Sequence, residues 1–151
     1  LLPLGSKICW GEPKGRKKDL NNRIAGVKFT DDKHQEFYIA MMARVKRNDC
    51  YHRAFFYVIG LTDDTRRHIK DLFDFEEDGI KPEGLEKGWQ TSGSSRICRM
   101  AFNLWGGYVE GGAEAETTPD NLFACSFAPY FVEGLKLRFP ENFARGAVHA
   151  E

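Results

Sequence analysis

The run from Gly88 to Trp105 holds the residues whose types and spacing best suit chemistry. Thr91, Ser92, Ser94 and Ser95, with Gly93 among them, precede a helical pattern that carries Arg96 and Arg99. Hydroxyls and unpaired backbone N–H groups at a helix entrance collect partial positive charge. Two guanidinium forks beside them suit a phosphate or another anion. Arg53, Arg66, Arg67 and His68 join this site if the helices that carry them converge on it. Trp89, Trp105 and Tyr108 add aromatic surface beside arginines, a pairing enriched at contacts with proteins and single-stranded nucleic acid. The plainer alternative is a long capping loop whose arginines pair with Asp71, Asp74, Glu76 and Glu77, with the rings in the core. The glycine spacing fits neither a P-loop nor a dinucleotide fingerprint.

Other chemistry has less support. His52 or His68 with Asp49, Asp64 or Asp71 is the available acid–base set, but such spacing is commoner in surface ion pairs. There is no nucleophile elbow, no HExxH and no paired-carboxylate motif. Cys50, His52, His68 and Cys98 are the available soft ligands, yet Cys50 and His52 stand two apart on a helix and point to different sides. No catalytic residue, metal or cofactor is therefore assigned, and a non-enzyme is favoured.

The elements that must position these groups follow from length and pattern. A chain of 151 residues with 42 % hydrophobic residues and twelve Phe suits one domain with its own core. Formal net charge is zero, so no global field favours nucleic acid or anionic lipid. Charge is uneven all the same. Up to residue 29, seven basic residues (Lys7, Lys14, Arg16, Lys17, Lys18, Arg23, Lys28) face Glu12 and Asp19, a net of +5 that leaves −5 on the remainder. Residues 1–28 read as a basic, mostly extended arm, residues 29–145 as the domain and residues 146–151 as a tail. The four cysteines are scattered without a CxxC pair, which suits reduced thiols and a cytoplasmic protein. No membrane partner is expected, since no window approaches the length of a membrane span.

Thr30 is the expected cap of a first helix with Tyr38, Met41, Met42 and Val45 inward, Lys46 and Arg47 at its end and Asn48 as its stop. Asp49 caps a second helix whose stripe is Tyr51, Ala54, Phe55, Val58 and Ile59. Phe56 and Tyr57 make it apolar nearly all round, so it is the expected central helix. Thr62 opens a third, with Asp64/His68, Arg67/Asp71 and Lys70/Asp74 as i, i+4 pairs. Next comes a loop with one helical turn near Glu83–Glu86. The fourth helix carries Ile97, Met100, Ala101, Leu104, Trp105 and Tyr108 on one stripe and ends near Gly106–Gly107. Residues 110–117 read as a flexible acidic link. Thr118-Pro119-Asp120 starts a helix, and Pro129 divides the apolar stretch up to Pro140 into two helices, about 119–126 and 128–138. Pro140 stops the second of them. The fold expected is all-α: an irregular single-domain bundle of about five to six helices.

Several runs resemble a family of small bacterial proteins of unknown function. They are Asn48-Asp49-Cys50-Tyr51-His52-Arg53-Ala54-Phe55-Phe56-Tyr57, Gly60-Leu61 and Asp64-Thr65-Arg66-Arg67-His68-Ile69. Phe73-Asp74-Phe75-Glu76, Gly79-Ile80-Lys81-Pro82-Glu83, Gly88-Trp89-Gln90-Thr91 and Arg99-Met100-Ala101-Phe102-Asn103-Leu104 continue it. So do Ala128-Pro129-Tyr130-Phe131 and Leu137-Arg138-Phe139-Pro140-Glu141. The resemblance covers about residues 29–143. It implies an intracellular bacterial protein, often encoded among genes of mobile elements and prophages. It carries no activity, so no residue inherits a role.

Two functions are then open. The leading expectation is a non-enzymatic binding module of a mobile element or prophage that contacts nucleic acid or a nucleic-acid-handling host protein, as a regulator or a defence-nuclease inhibitor. The alternative is an enzyme or sensor for a phosphorylated small molecule at the Thr91–Arg99 helix entrance.

Overall fold

A computed structural model describes residues 24–144. The expected tail and the arm up to residue 23 lie outside them. Within them the chain is all-α apart from one short hairpin. Eight α-helices stand among the described residues: α1 (Asp32–Arg44), α2 (Cys50–Ile59), α3 (Asp63–Arg67), α4 (Ile69–Leu72), α5 (Ser92–Gly106), α6 (Pro119–Leu122), α7 (Ala128–Arg138) and α8 (Pro140–Phe143). Two 3-10 turns, Pro82–Glu86 and Glu114–Thr117, and two strands, β1 (Phe73–Asp74) and β2 (Gly79–Ile80), complete the order.

The core is built on α2. Its sequence is apolar on every side after the first turn, and Ala54, Phe55, Phe56, Tyr57, Val58 and Ile59 are all fully buried. Burying an aromatic or branched side chain stabilises by about 1.5–3 kcal/mol. One short helix thus supplies a large share of the core. It lies against α1, α5 and α7. Phe102 of α5 stacks on Phe55, and Phe131 of α7 is fully buried. Gly134 is the close-approach point: a Cβ there would stand 2.8 Å from Val58 Cγ2.

The caps expected at Asp49 and Thr62 form, and within the loop before α5 the cap is Thr91. Gly107 ends α5 at φ 75°, a left-handed turn that glycine takes without steric cost. The first cap is Asp31 rather than Thr30: its carboxylate accepts the His34 N–H, and a charged acceptor is the stronger cap. Lys46 and Arg47 lie beyond α1, which ends at Arg44 with Val45 already extended.

The third expected helix is two pieces, and this, with α8, raises the helix count above six. His68 leaves helical geometry (φ −104°, ψ 26°), and its Nδ1 lies 2.7 Å from the Asp64 carbonyl. The chain then turns through a hairpin in which Phe73 pairs with Ile80 and Asp74 with Gly79. Asp74 accepts the N–H groups of Glu76 and Glu77 inside that turn, so its carboxylate does not serve Lys70. The segment expected as a flexible link holds a 3-10 turn, and Glu110 at its start is ion-paired. Pro140 opens α8 as well as closing α7. At the other end, Ile24, Val27 and Phe29 already pack against the core. Ordered packing thus begins before residue 29. No described helix is long and apolar enough to cross a membrane.

Candidate recognition surface

The helix entrance at Thr91–Arg99 complements itself. Thr91 Oγ1 accepts from Ser94 N–H at 3.1 Å, and Ser94 Oγ accepts from Thr91 N–H at 2.8 Å. This reciprocal capping box uses both hydroxyls. Ser94 and Ser95 also donate to Gln90 Oε1, at 2.6 and 3.2 Å, and Gln90 in turn donates to the Gly84 carbonyl. Arg99 places Nε and Nη2 on one oxygen of Glu110, at 3.2 and 3.0 Å, in a largely buried pair. Arg96 donates to the Ala124 carbonyl. The partner of Arg99 is an acid beyond the C-terminal end of α5, not one of the four acids of the hairpin region.

The other cations are engaged close to their own positions in the chain. Arg53 bonds the carbonyl and side chain of Asn48, 3.0 and 2.9 Å away. Arg66 caps the Gly60 carbonyl at 2.6 Å, and Arg67 pairs with Asp63 and Asp64. Acids one turn back on the same helix are reached with less loss of side-chain freedom than a distant site. His68 and Trp89 do come together: their rings stack at 4.1 Å with an interplanar angle of 8°. Trp89 Nε1 donates to Asp71, which is why Asp71 is not the partner of Arg67.

The arginine–aromatic surface forms elsewhere, where the first turn of α2 meets the last turn of α7. The guanidinium of Arg138 lies 4.0 Å from the Tyr51 ring centre and 4.6 Å from that of Phe139. Its Nε donates to the Leu104 carbonyl at 2.8 Å, a free acceptor in the last turn of α5. Nη1 reaches Cys50 Sγ at 3.7 Å. Arg138 is thus fixed by stacking and by two anchors, with no carboxylate paired to it among the described residues. Tyr51 is 42 % exposed, although its spacing places it on the stripe with Ala54 and Phe55. The half-buried Trp105 meets the Tyr51 ring edge-on at 6.5 Å. Tyr108 lies past the end of α5, edge-on to Phe102. Sequence spacing missed Tyr51 and Arg138 as a pair. The available signal was an aromatic at the edge of an otherwise continuous apolar stripe.

Beneath this face lies a polar cluster centred on a buried histidine. His52, 2 % exposed, sits with Nδ1 2.7 Å from Asp49 and Nε2 2.7 Å from Asp78. Burial pushes the Asp49 carboxyl up, but the N–H and ring of His52 outweigh it and hold the group below its ordinary range. Both ring nitrogens are therefore occupied, and the Trp105 ring closes over His52 at 4.8 Å. Among the described residues no group of three or more His, Cys, Asp and Glu is placed to hold a metal, and Cys50, His52, His68 and Cys98 do not converge.

Residues 24–150 match the family described as "Family of unknown function (DUF6075)". No curated protein and no solved structure matches the chain. With 127 of its 151 residues inside that match, the chain belongs to this family of unknown function.

Proposed function

We propose that this family member works as a non-enzymatic binding module that contacts nucleic acid or a nucleic-acid-handling host protein, inside a bacterial cell and as the product of a mobile element or prophage. The observation that carries the binding reading is the Tyr51–Arg138–Phe139 arrangement. A guanidinium held against the rings of Tyr51 and Phe139 is pre-organised, and Tyr51 is 42 % exposed. Arginine and tyrosine are enriched where proteins meet partners, and an ordered side chain loses little entropy on binding. The net +5 of residues 1–29 adds a basic segment that favours association with a polyanion or an acidic partner. Cellular setting and mobile-element origin rest on the sequence resemblance alone.

The alternative, an enzyme or sensor for a phosphorylated small molecule at Thr91–Arg99, has less support. The hydroxyls of Thr91, Ser94 and Ser95 are engaged in capping or by Gln90, and Arg99 already holds Glu110. A ligand there must break these bonds before making its own.

The test is binding by the full chain at about 50 mM salt and upward. Labelled DNA and RNA are followed by fluorescence anisotropy, and tagged protein is used to capture and then reconstitute a host partner. Salt-sensitive binding to nucleic acid, or a reconstituted complex with a nucleic-acid-handling protein, is expected. Absence of both overturns the reading.

A further inference from the structure

We infer that the face around Tyr51 takes a single-stranded nucleic acid, with one base on the open side of the Tyr51 ring and neighbouring phosphates on Arg47, Arg53 and Arg138. This rests on the binding reading above and narrows it to one ligand class and one surface.

Arg138 covers one side of the Tyr51 ring and Trp105 meets it edge-on, while 42 % of the residue stays open to solvent. A solvent-exposed ring backed by a guanidinium is a stacking platform, and every base has a π-face to offer it. A duplex keeps its bases stacked on one another, so the platform selects an unpaired strand. The cations sit at the same end of α2. Lys46 and Arg47 are exposed in the connection that leads into Cys50, and no described carboxylate is ion-paired with either. Arg53 is tied by Nη1 to Asn48 in that same connection. The acid in this stretch, Asp49, is committed to the backbone N–H and ring of His52. Glu141 on α8 is the exposed carboxylate next along from Phe139. Asp78, like Asp49, is committed to the His52 ring, and Glu76 and Glu77 are exposed in the neighbouring β1–β2 turn. What distinguishes Lys46, Arg47, Arg53 and Arg138 is that none of them is ion-paired with a described carboxylate. An acidic peptide would satisfy the cations alone, whereas a nucleotide offers a phosphate and a π-face in one unit.

The experiment compares strands of about twelve nucleotides with a duplex of the same composition, by fluorescence anisotropy on the full chain. Thermal melts run alongside to show that each variant is folded. Preference for the single strand is expected. Tyr51→Ala should weaken it about tenfold, while Tyr51→Phe keeps the ring and the affinity. Arg47→Ala, at an exposed position outside the helices, should lower the slope of log affinity against log salt by about 0.7. Photocrosslinking of a bromouridine-containing strand should map to Tyr51. Wild-type affinity in a folded Tyr51→Ala variant, or preference for duplex, overturns the inference while the broader binding reading stands. Absence of any nucleic-acid binding overturns the inference too, and leaves the function to a protein partner.

Discussion

The carboxylate of Asp78 stands 2.7 Å from Nε2 of His52, across 26 residues of sequence. Asp49 holds the other ring nitrogen at the same distance. Ionised carboxylates only accept, so both bonds form together when both ring nitrogens carry hydrogen. The contact ties the β1–β2 turn to the first turn of α2, beneath the proposed binding face. Asp78 also has φ +57°, a left-handed conformation that a side chain takes at a cost.

Removing that carboxylate separates the two effects. Asp78→Ala should destabilise by about 1–3 kcal/mol, since His52 is left with an unpaired nitrogen in a buried site. Asp78→Gly should cost less, because glycine relieves the backbone while losing the same bond. Exposed Glu77, in the same turn, should tolerate Ala within about 0.5 kcal/mol. Urea midpoints for the three variants decide it. Equal losses for Asp78→Ala and Asp78→Gly would mean that strain contributes nothing measurable.

His34 gives a stability that depends on pH with a definite sign. Its Nδ1 accepts the Thr30 N–H at 3.2 Å, which leaves Nε2 to donate to the Tyr57 carbonyl at 2.7 Å. The ring is therefore neutral in the fold. Burial holds its pKa below the ordinary value and Arg66 adds to that, while the bond to Tyr57 and the charge of Asp31 oppose it. An unfolded histidine binds a proton near about pH 6.5, so below that the unfolded state holds more protons than the native one. The neutral ring's contribution is present above that value and is lost as pH falls from there through the depressed native value. Between about pH 7.5 and pH 5.5 the urea midpoint should fall for the wild type, and fall less for His34→Gln, which keeps a donor for Tyr57. A parallel fall in both proteins would assign the effect to another group.

Cysteine reactivity should follow burial. Burial pushes the Cys98 thiol up to about 11, against smaller opposing effects of the Gln90 hydrogen bond and the Arg99 charge. Cys50 and Cys125 are only half-buried. Iodoacetamide at about pH 8 should alkylate Cys50 and Cys125 in the folded protein and reach Cys98 only after denaturation. Peptide mass mapping over time checks the order. Labelling of Cys98 at the rate of the other two would contradict the burial of its side chain.

The parts of this molecule that sequence makes legible are those governed by neighbours within four residues. Asp49 and Thr62 start their helices where their side chains place them, and Gly107 ends α5 where its φ preference does. The central role of α2 follows from an apolar run too complete to face water. Tyr51 stands at the edge of that run, beside His52 and Arg53, and i, i+3, i+4 spacing assigns it to the buried stripe all the same. The edge is set by where α5 and α7 stop covering α2. Arg138, 88 positions from Cys50, joins the face only once α7 is docked. Likewise Arg99 finds its acid through the fold rather than along the sequence, since the chain after α5 folds back to bring Glu110 to it.

Two glycine-to-alanine changes should move stability in opposite directions and so test the packing of α7 on α2. At Gly134 a Cβ would lie 2.8 Å from Val58 Cγ2 and 3.3 Å from Leu104 Cδ1. Val58 is fully buried and Leu104 is 4 % exposed, so neither has room to retreat. α7 must then shift away from α2 and α5, and Gly134→Ala should cost about 1–3 kcal/mol. At Gly106, the last residue of α5, a Cβ meets nothing within 4 Å. There alanine only restricts the unfolded chain and favours the helix, and a gain of up to about 1 kcal/mol is expected. Urea denaturation at unchanged m-value reads both, and a neutral Gly134→Ala would mean that α7 stands farther from Val58 and Leu104 than these distances place it.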